Sequence, residues 1–369
     1  MANGQIVTAG GRYRAVVIPA ARRMPVETLA HLLALVRRGG AVIYEALPED
    51  VPGLGRLEER RARFRDVRDA IGQSGAKAGN IPVELRRRGA VREPVAATGL
   101  RFIRRANDSG HAYFFANLTD HAVDQWVALG APVHSAVIED PLTGRSGLAA
   151  VKPGTAGTAQ VYLQLAAGES LLLHTQSGDA MIPKTAAWRY TRPAAEPVPL
   201  RGEWSVTFVK GGPDLPPPFP TTELKSWTEL GGEAAQHFAG TARYRLEFER
   251  PAASADDWLL DLGAVRESAR VRLNGAEVVT AWSLPFRVRI GAQLKPGRNV
   301  LELEVTNLAA NRIRDLDRRG VPWKIMREIN VVNINYQPFD ASAWDLTPSG
   351  LLGPVALVPL RVIDPTGPP

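Results

Sequence analysis

Carboxylates, histidines and hydroxyls are this chain's first candidates for chemistry. The sequence holds no cysteine, so thiolate nucleophiles, thiolate metal ligands and disulfides are excluded. The six histidines (His31, His111, His121, His134, His174 and His237) show no HExxH or HxH spacing, the arrangement that turns two imidazoles onto one metal. Ser146 sits in Gly144-Arg145-Ser146-Gly147, which is not a GxSxG elbow and reads as a turn. Cleavage of a glycosidic bond generally needs a pair of carboxylates. Glu302 and Glu304 share one strand face between alternating apolar residues, which assigns them to the solvent side. Asp315 and Asp317 lie among Arg312, Arg314, Arg318 and Arg319. Guanidinium neighbours keep a carboxylate ionised, so neither aspartate suits a general acid. No catalytic residue and no metal ligand is assigned.

Binding is better supported than catalysis. Residues 200–360 contain six of the eight tryptophans: Trp204, Trp227, Trp258, Trp282, Trp323 and Trp344. Indole rings stack on the apolar faces of sugars while Asn, Asp and Arg bond the hydroxyls. Trp204, Trp258 and Trp282 lie in or beside strands and are expected in the core, where large aromatics dominate packing. The segment 307–344 differs. It has little strand alternation, is rich in polar groups, and is long for an ordered connection, a combination common in functional loops. Asn311, Arg312, Asp315, Trp323, Asn335 and Tyr336 are its candidate residues. They could contact carbohydrate, or could anchor another domain through arginine and tryptophan.

The elements that carry these residues suggest a mainly β, multidomain chain. Residues 1–95 read as a partial α/β segment. Ala15–Ile18 and Ala41–Tyr44 are strand signals, and Leu29, Leu32, Leu33 and Val36 form one helical stripe after Pro25. A second helix carries Leu57, Phe64, Val67 and Ile71. Two strands and two helices are too few for a closed parallel domain, so this segment is expected to begin partway through a fold. The turn from Pro19 to Pro25 has no glycine, which argues against a dinucleotide or flavin site. Residues 98–192 read as a β-sandwich, with strand-like runs at Leu100–Arg104, Ala112–Ala116, His134–Ile138, Ala159–Leu165 and Ser170–Thr175. Pro193–Pro199 reads as a linker.

Residues 198–361 show the clearest pattern. Ala242, Tyr244, Leu246 and Phe248 alternate with Arg243, Arg245 and Glu247, and the same period recurs around Val271, Val288 and Leu303. Repeated alternation of this kind means an antiparallel sheet with one buried face, and a jelly-roll sandwich follows. Asn274-Gly275 is a hairpin signal.

Composition agrees with a globular chain: 45% hydrophobic and 22% charged in 369 residues. The whole net charge of +7 falls within the first 95 residues. There Arg56–Arg68 alternate with Glu58, Glu59 and Asp66, a solvated helix face rather than a phosphate-binding stripe. No nucleic-acid partner is expected. No run of apolar residues is long enough to span a membrane, and Met1–Pro19 lacks the pattern of a signal peptide.

The residues also carry a family resemblance. HFAGTARYRLEF at His237–Phe248, LDLGAVRESARVRLNG at Leu260–Gly275 and LKPGRNVLELEVTNLAANRIRD at Leu294–Asp315 resemble the galactose-binding-like sugar-binding domain of family 2-type glycoside hydrolases. More narrowly, Ile6–Ile43 and Val321–Val355 resemble the C-terminal portion of glycoside hydrolase family 106, the α-L-rhamnosidases. That resemblance implies a flavodoxin- or amidotransferase-like accessory segment first, then the two sandwiches. It implies a rhamnose-containing glycan as the carbohydrate partner and a periplasmic or secreted location. It further implies a calcium-dependent catalytic barrel with two glutamates, expected upstream of Met1. No residue here matches those glutamates or a calcium ligand, so no cofactor is assigned within this chain. The expectation is a non-catalytic accessory region, with a stand-alone carbohydrate-binding protein as the alternative.

Overall fold

A computed structural model describes residues 1–2, 4–74, 77–90, 92–155, 158–178, 185–325, 334–335 and 337–367. The protein is mainly β and divides into two compact units, Met1–Glu93 and Pro94–Pro369.

The first unit is α/β. Val16–Ile18, Val42–Tyr44 and Lys77–Ala78 pair as a parallel sheet. Helix Val26–Arg37 turns Val26, Leu29, Leu32 and Leu33 inward, and helix Leu57–Gly72 adds Phe64 and Ile71 to the same core. Three elements exceed the sequence expectation: the strand Lys77–Ala78, the helix Ile81–Arg87 and the hairpin of Ile6–Thr8 with Gly11–Tyr13. A two-residue strand offers no alternation to detect. The third helix is announced instead by Asn80, whose side chain accepts a hydrogen bond from the Val83 amide.

The second unit holds both sandwiches. In the first, a five-stranded sheet runs in the order Ser146–Leu148, Ser135–Glu139, Ser170–Gln176, Gly110–Ala116, Arg101–Ala106. A three-stranded sheet of Val151–Pro153, Ala159–Leu165 and Val123–Leu129 supplies the other side of the core around Tyr113, Phe115, Val161 and Leu173. Ser146, expected in a turn, opens a strand. The turn lies just before it, where the Asp140 carboxylate accepts from the Leu142 and Thr143 amides.

The C-terminal sandwich has a six-stranded sheet. Its order is Phe219–Thr221, Trp204–Gly212, Ala239–Glu249, Arg298–Thr306, Ser268–Leu273, Ala276–Ala281. Alternation sends Ala242, Tyr244, Leu246, Val271, Leu301 and Leu303 into one core. The Asn274-Gly275 hairpin is present, with both residues at positive φ (54° and 81°). Trp227 and Phe238 both meet Phe208 edge-on, at 5.5 and 4.9 Å between ring centroids.

The expected linker at Pro193–Pro199 begins and ends in sheet. Tyr190–Pro193 and Val198–Pro199 both pair with the last strand, Ala356–Ile363. Tyr190 meanwhile packs in the core of the first sandwich, and so does Ile363 from the other end of the chain. Pro193 and Pro199 each lie at the end of their strand, where a missing N–H is tolerated. The two sandwiches expected at 98–192 and 198–361 thus belong to one compact unit.

Among the tryptophans, Trp204 and Trp258 are buried as expected, and Trp282 corrects the expectation: it is 65% exposed. Ala281 is the last inward residue of its strand, so the next side chain faces solvent.

Gly350 begins the strand that closes this core, at φ 102°. A Cβ there would clash with the Tyr244 hydroxyl and reach 2.8 Å from the Trp227 ring. Gly350→Ala is expected to cost roughly 3 kcal/mol, summing backbone strain and overpacking. Urea unfolding with tryptophan fluorescence checks this, since both Trp204 and Trp227 report on the same core.

Candidate functional site

The segment 307–344 is not one continuous loop. Residues Ala310–Arg318 form a helix, which the sequence reading missed because charged residues dominate it. Helix-forming Arg and Asp at i, i+3 and i+4 spacing were the available signal.

Asn311 lies on the inner face of this helix, 1% exposed. Its amide nitrogen donates to the Thr347 carbonyl at 2.8 Å and to the Ser349 hydroxyl at 3.3 Å. Its carbonyl oxygen accepts from the Thr347 amide at 2.8 Å. The side chain therefore clamps the segment where it rejoins the core. Asn307 donates to the same Ser349 hydroxyl and to the Phe238 carbonyl. From the other side, the Ser226 hydroxyl accepts from the Ser349 amide at 2.9 Å. Burial makes each of these bonds costly to lose.

Arg312 and Asp315 pair with each other at 3.0 Å, and Arg319 adds a second guanidinium to Asp315 at 2.8 Å. Two cations on one carboxylate satisfy it within the helix and its first following turn. Asp317, absent from the candidate set, organises more of the segment. One carboxylate oxygen accepts from the Trp323 indole at 2.7 Å and pairs with the Lys324 ammonium at 3.3 Å. The other accepts from the Ala341 amide at 2.8 Å. The Ala341 amide first, then the Trp323 indole and Lys324, hold the Asp317 carboxyl below the ordinary range.

Trp323 thereby becomes the first ring of a row. Phe339 meets it edge-on at 6.2 Å, and Trp344 meets Phe339 edge-on at 5.5 Å. Arg314 donates to the Trp344 carbonyl, and Lys324 lies over both Trp323 and Phe339. The structure brings Trp323 together with Phe339 and Trp344, while Asn311 and the Arg312–Asp315 pair serve as its support. Asn335 is an exposed turn residue. Tyr336 lies outside the described residues. Phe339, Lys324 and Asp317 escaped the sequence reading because their meeting depends on a chain reversal that no short-range pattern encodes.

Among the described residues of this segment and the neighbouring sheet, the carboxylates with partners are held away from proton transfer. Asp317 is held ionised, Asp315 sits between two arginines, and Glu304 is held below its usual range by Arg243, with Arg272 and Arg270 adding to the effect. The calcium implied by the resemblance finds no fit: no cluster of three His, Asp or Glu side chains forms among the described residues. The segment does expose apolar surface. Ile325 and Ile334 are 96% and 99% exposed, and Trp344 is 41% exposed.

Because the Asp317 carboxyl is held low, its contribution is present above the ordinary carboxylate range and is lost as pH falls through the lowered value. Asp317→Asn removes that charge and leaves at most one acceptor oxygen for three donors. Trypsin cleavage within residues 319–341 is expected to accelerate by about 5-fold or more, reflecting easier local opening. Amide hydrogen exchange of the described residues of this segment should likewise quicken in the wild type, beyond the intrinsic pH trend, when pH drops below the Asp317 range, and the variant should show a weaker pH dependence.

No protein-family model matches the chain. A provisionally named β-glucuronidase from Formosa agariphila is 34% identical over 182 residues, covering 44% of this chain and 16% of that protein. The structure of a rhamnosidase from Novosphingobium sp. PP1Y superposes with a TM-score of 0.64 at 23% identity. That match covers 96% of this chain and 34% of the rhamnosidase. The chain thus spans about a third of the length of one relative and about a sixth of the other. Both are glycosidases, and the chain has a glycoside hydrolase-related fold.

Proposed function

We propose that this chain is a non-catalytic accessory region of an α-L-rhamnosidase-like glycoside hydrolase, supporting carbohydrate binding and a catalytic barrel carried outside it. The observation that supports this most is the contrast within segment 307–344. The polar side chains of Asn311, Arg312, Asp315 and Asp317 are satisfied internally, while Ile325 and Ile334 of the same segment stand almost fully exposed. Polar groups turned inward and branched apolar groups turned outward suit contact with another folded domain better than contact with a free sugar. The pairing of Asp315, Asp317 and Glu304 with basic and amide groups points the same way. In this reading calcium and both catalytic glutamates belong to the barrel, and rhamnose-bearing glycan is the substrate. A periplasmic or secreted setting rests on the resemblance alone.

A second reading, a stand-alone carbohydrate-binding protein, is favoured by one observation: the exposed indole of Trp282.

Incubating the purified chain with 4-nitrophenyl α-L-rhamnopyranoside is expected to release no nitrophenol above background. Turnover near the ordinary enzymatic range of about 1–1000 per second would overturn the proposal. Replacing both isoleucines (Ile325→Asp, Ile334→Asp) should change stability by less than about 0.5 kcal/mol, as for side chains nothing in this chain covers. Guanidinium unfolding measures this, and a loss of several times that size would show that they pack within the chain.

A further inference from the structure

We infer that a cavity beyond the carboxyl ends of the parallel strands in the first unit is a binding site for a small hydroxy acid of single negative charge. The inference goes beyond the carbohydrate reading above and is independent of it.

The cavity encloses about 450 Å³, within the range of roughly 300–1000 Å³ typical of small-molecule sites. Its walls come from three places. Arg22 and Arg23 lie in the connection that follows Val16–Ile18, and Glu49 and Asp50 in the one that follows Val42–Tyr44. Glu58, Arg61 and Arg65, at i, i+3 and i+7, line it from one face of helix Leu57–Gly72. Open parallel sheets take their ligands at this carboxyl end, where successive strands release their connections. The two connections are stitched to each other. The Glu49 and Asp50 amides donate to the Arg22 carbonyl at 3.0 and 3.3 Å, and the Met24 amide donates to the Asp50 carbonyl at 3.0 Å. Walls fixed before a ligand arrives lower the ordering cost of binding it.

Charge decides what fits. Arg61 donates to both oxygens of Asp50, at 3.0 and 2.8 Å, and reaches Glu58 with its third nitrogen at 3.1 Å. Arg22 pairs with Glu49 at 3.5 Å. The side chains of Arg23 and Arg65 make no hydrogen bond or ion pair with the described residues. The residues of this unit outside the description, Asn3, Gly75, Ala76 and Val91, carry no charge to pair with them. Arg61 and Arg63 of the same helix do find acidic partners, so Arg65 departs from its neighbours. Four arginines in all face three carboxylates, an excess of one positive charge. One carboxylate taken up by Arg23 and Arg65 neutralises that excess, and the planar guanidinium fork matches its two oxygens. Glu49 and Glu58 make their closest arginine contact through one oxygen each, leaving the other to accept from ligand hydroxyls. Phe64, 1% exposed, is the one apolar side chain among the described lining residues, so an aromatic ligand finds little to cover it.

Titration calorimetry on the full chain at low salt, with D-glycerate, propanoate, glycerol and inorganic phosphate, tests this. Propanoate keeps the carboxylate of glycerate without its hydroxyls and also stands for an acidic side chain of another protein; glycerol keeps the hydroxyls alone. Glycerate is expected to bind in the millimolar range and about 5-fold tighter than propanoate, as for one added hydrogen bond, with no saturable heat from glycerol. Arg23→Gln and Arg65→Gln should each weaken glycerate by about 10-fold, the loss expected for a charge-assisted hydrogen bond. Arg63→Gln removes the same charge from another face of the helix and should change the affinity by less than about 2-fold. Circular dichroism and an unchanged melting temperature establish that the variants fold. No saturable heat from glycerate, or an equal loss in Arg63→Gln and Arg65→Gln, overturns the site. Equal affinity for propanoate and glycerate overturns the hydroxy acid and leaves a pocket for a protein carboxylate. Phosphate binding tighter than glycerate overturns the single charge.

Discussion

The buried hydroxyl of Ser349 is the point on which the functional region hangs. Ser226 from one part of the sequence and Asn307 and Asn311 from another converge on this one residue, and Ser226, Asn311 and Ser349 are buried from water. An unmade hydrogen bond in such a place costs about 1–3 kcal/mol, so the network admits essentially one arrangement. It fixes where segment 307–344 leaves the sandwich and where it returns. The strand that follows is then delivered to Tyr244, whose hydroxyl accepts from the Leu351 amide.

A second polar network sets the stiffness of the larger unit. Asp124 accepts from Tyr162, Gln164 and Arg192, and Thr191 in turn accepts from Arg289, which pairs with Asp257 of the C-terminal sandwich. Together with the shared strand Ala356–Ile363, these bonds couple two sandwiches that would otherwise be joined by a Pro-rich tether. A ligand meeting both sandwiches would meet a fixed surface. Pre-organisation of this kind lowers the ordering cost of binding.

The charged face of the six-stranded sheet follows a different logic. Glu304 is flanked by Arg243 and Arg270 across neighbouring strands, and Glu247 by Arg245 and Arg298. Exposed pairs of this type contribute little each. Their effect is to neutralise Glu304 and Glu247 on that face.

Much of the framework was legible in the sequence because it depends on local rules. Period-two alternation at Ala242–Phe248 and Leu301–Val305 sorts inward from outward residues, and Asn274-Gly275 needs only its own φ preferences. The arginine-flanked aspartates likewise declared themselves unfit for acid catalysis, since neighbours in sequence supply the charge. Helix 310–318 is local and was hidden by its charged composition, whereas the Asp317 anchor and the row Trp323–Phe339–Trp344 were not legible, because they depend on residues brought together by chain reversal. Trp282 shows the difference most sharply. Its residue type and its place beside a strand argue for the core, and the end of the strand alone decides that it faces water. The sequence determined which residues could fill a core or stack on a ligand. Tertiary structure decided which of them remained free to do so, because exposure is set by what the rest of the chain covers.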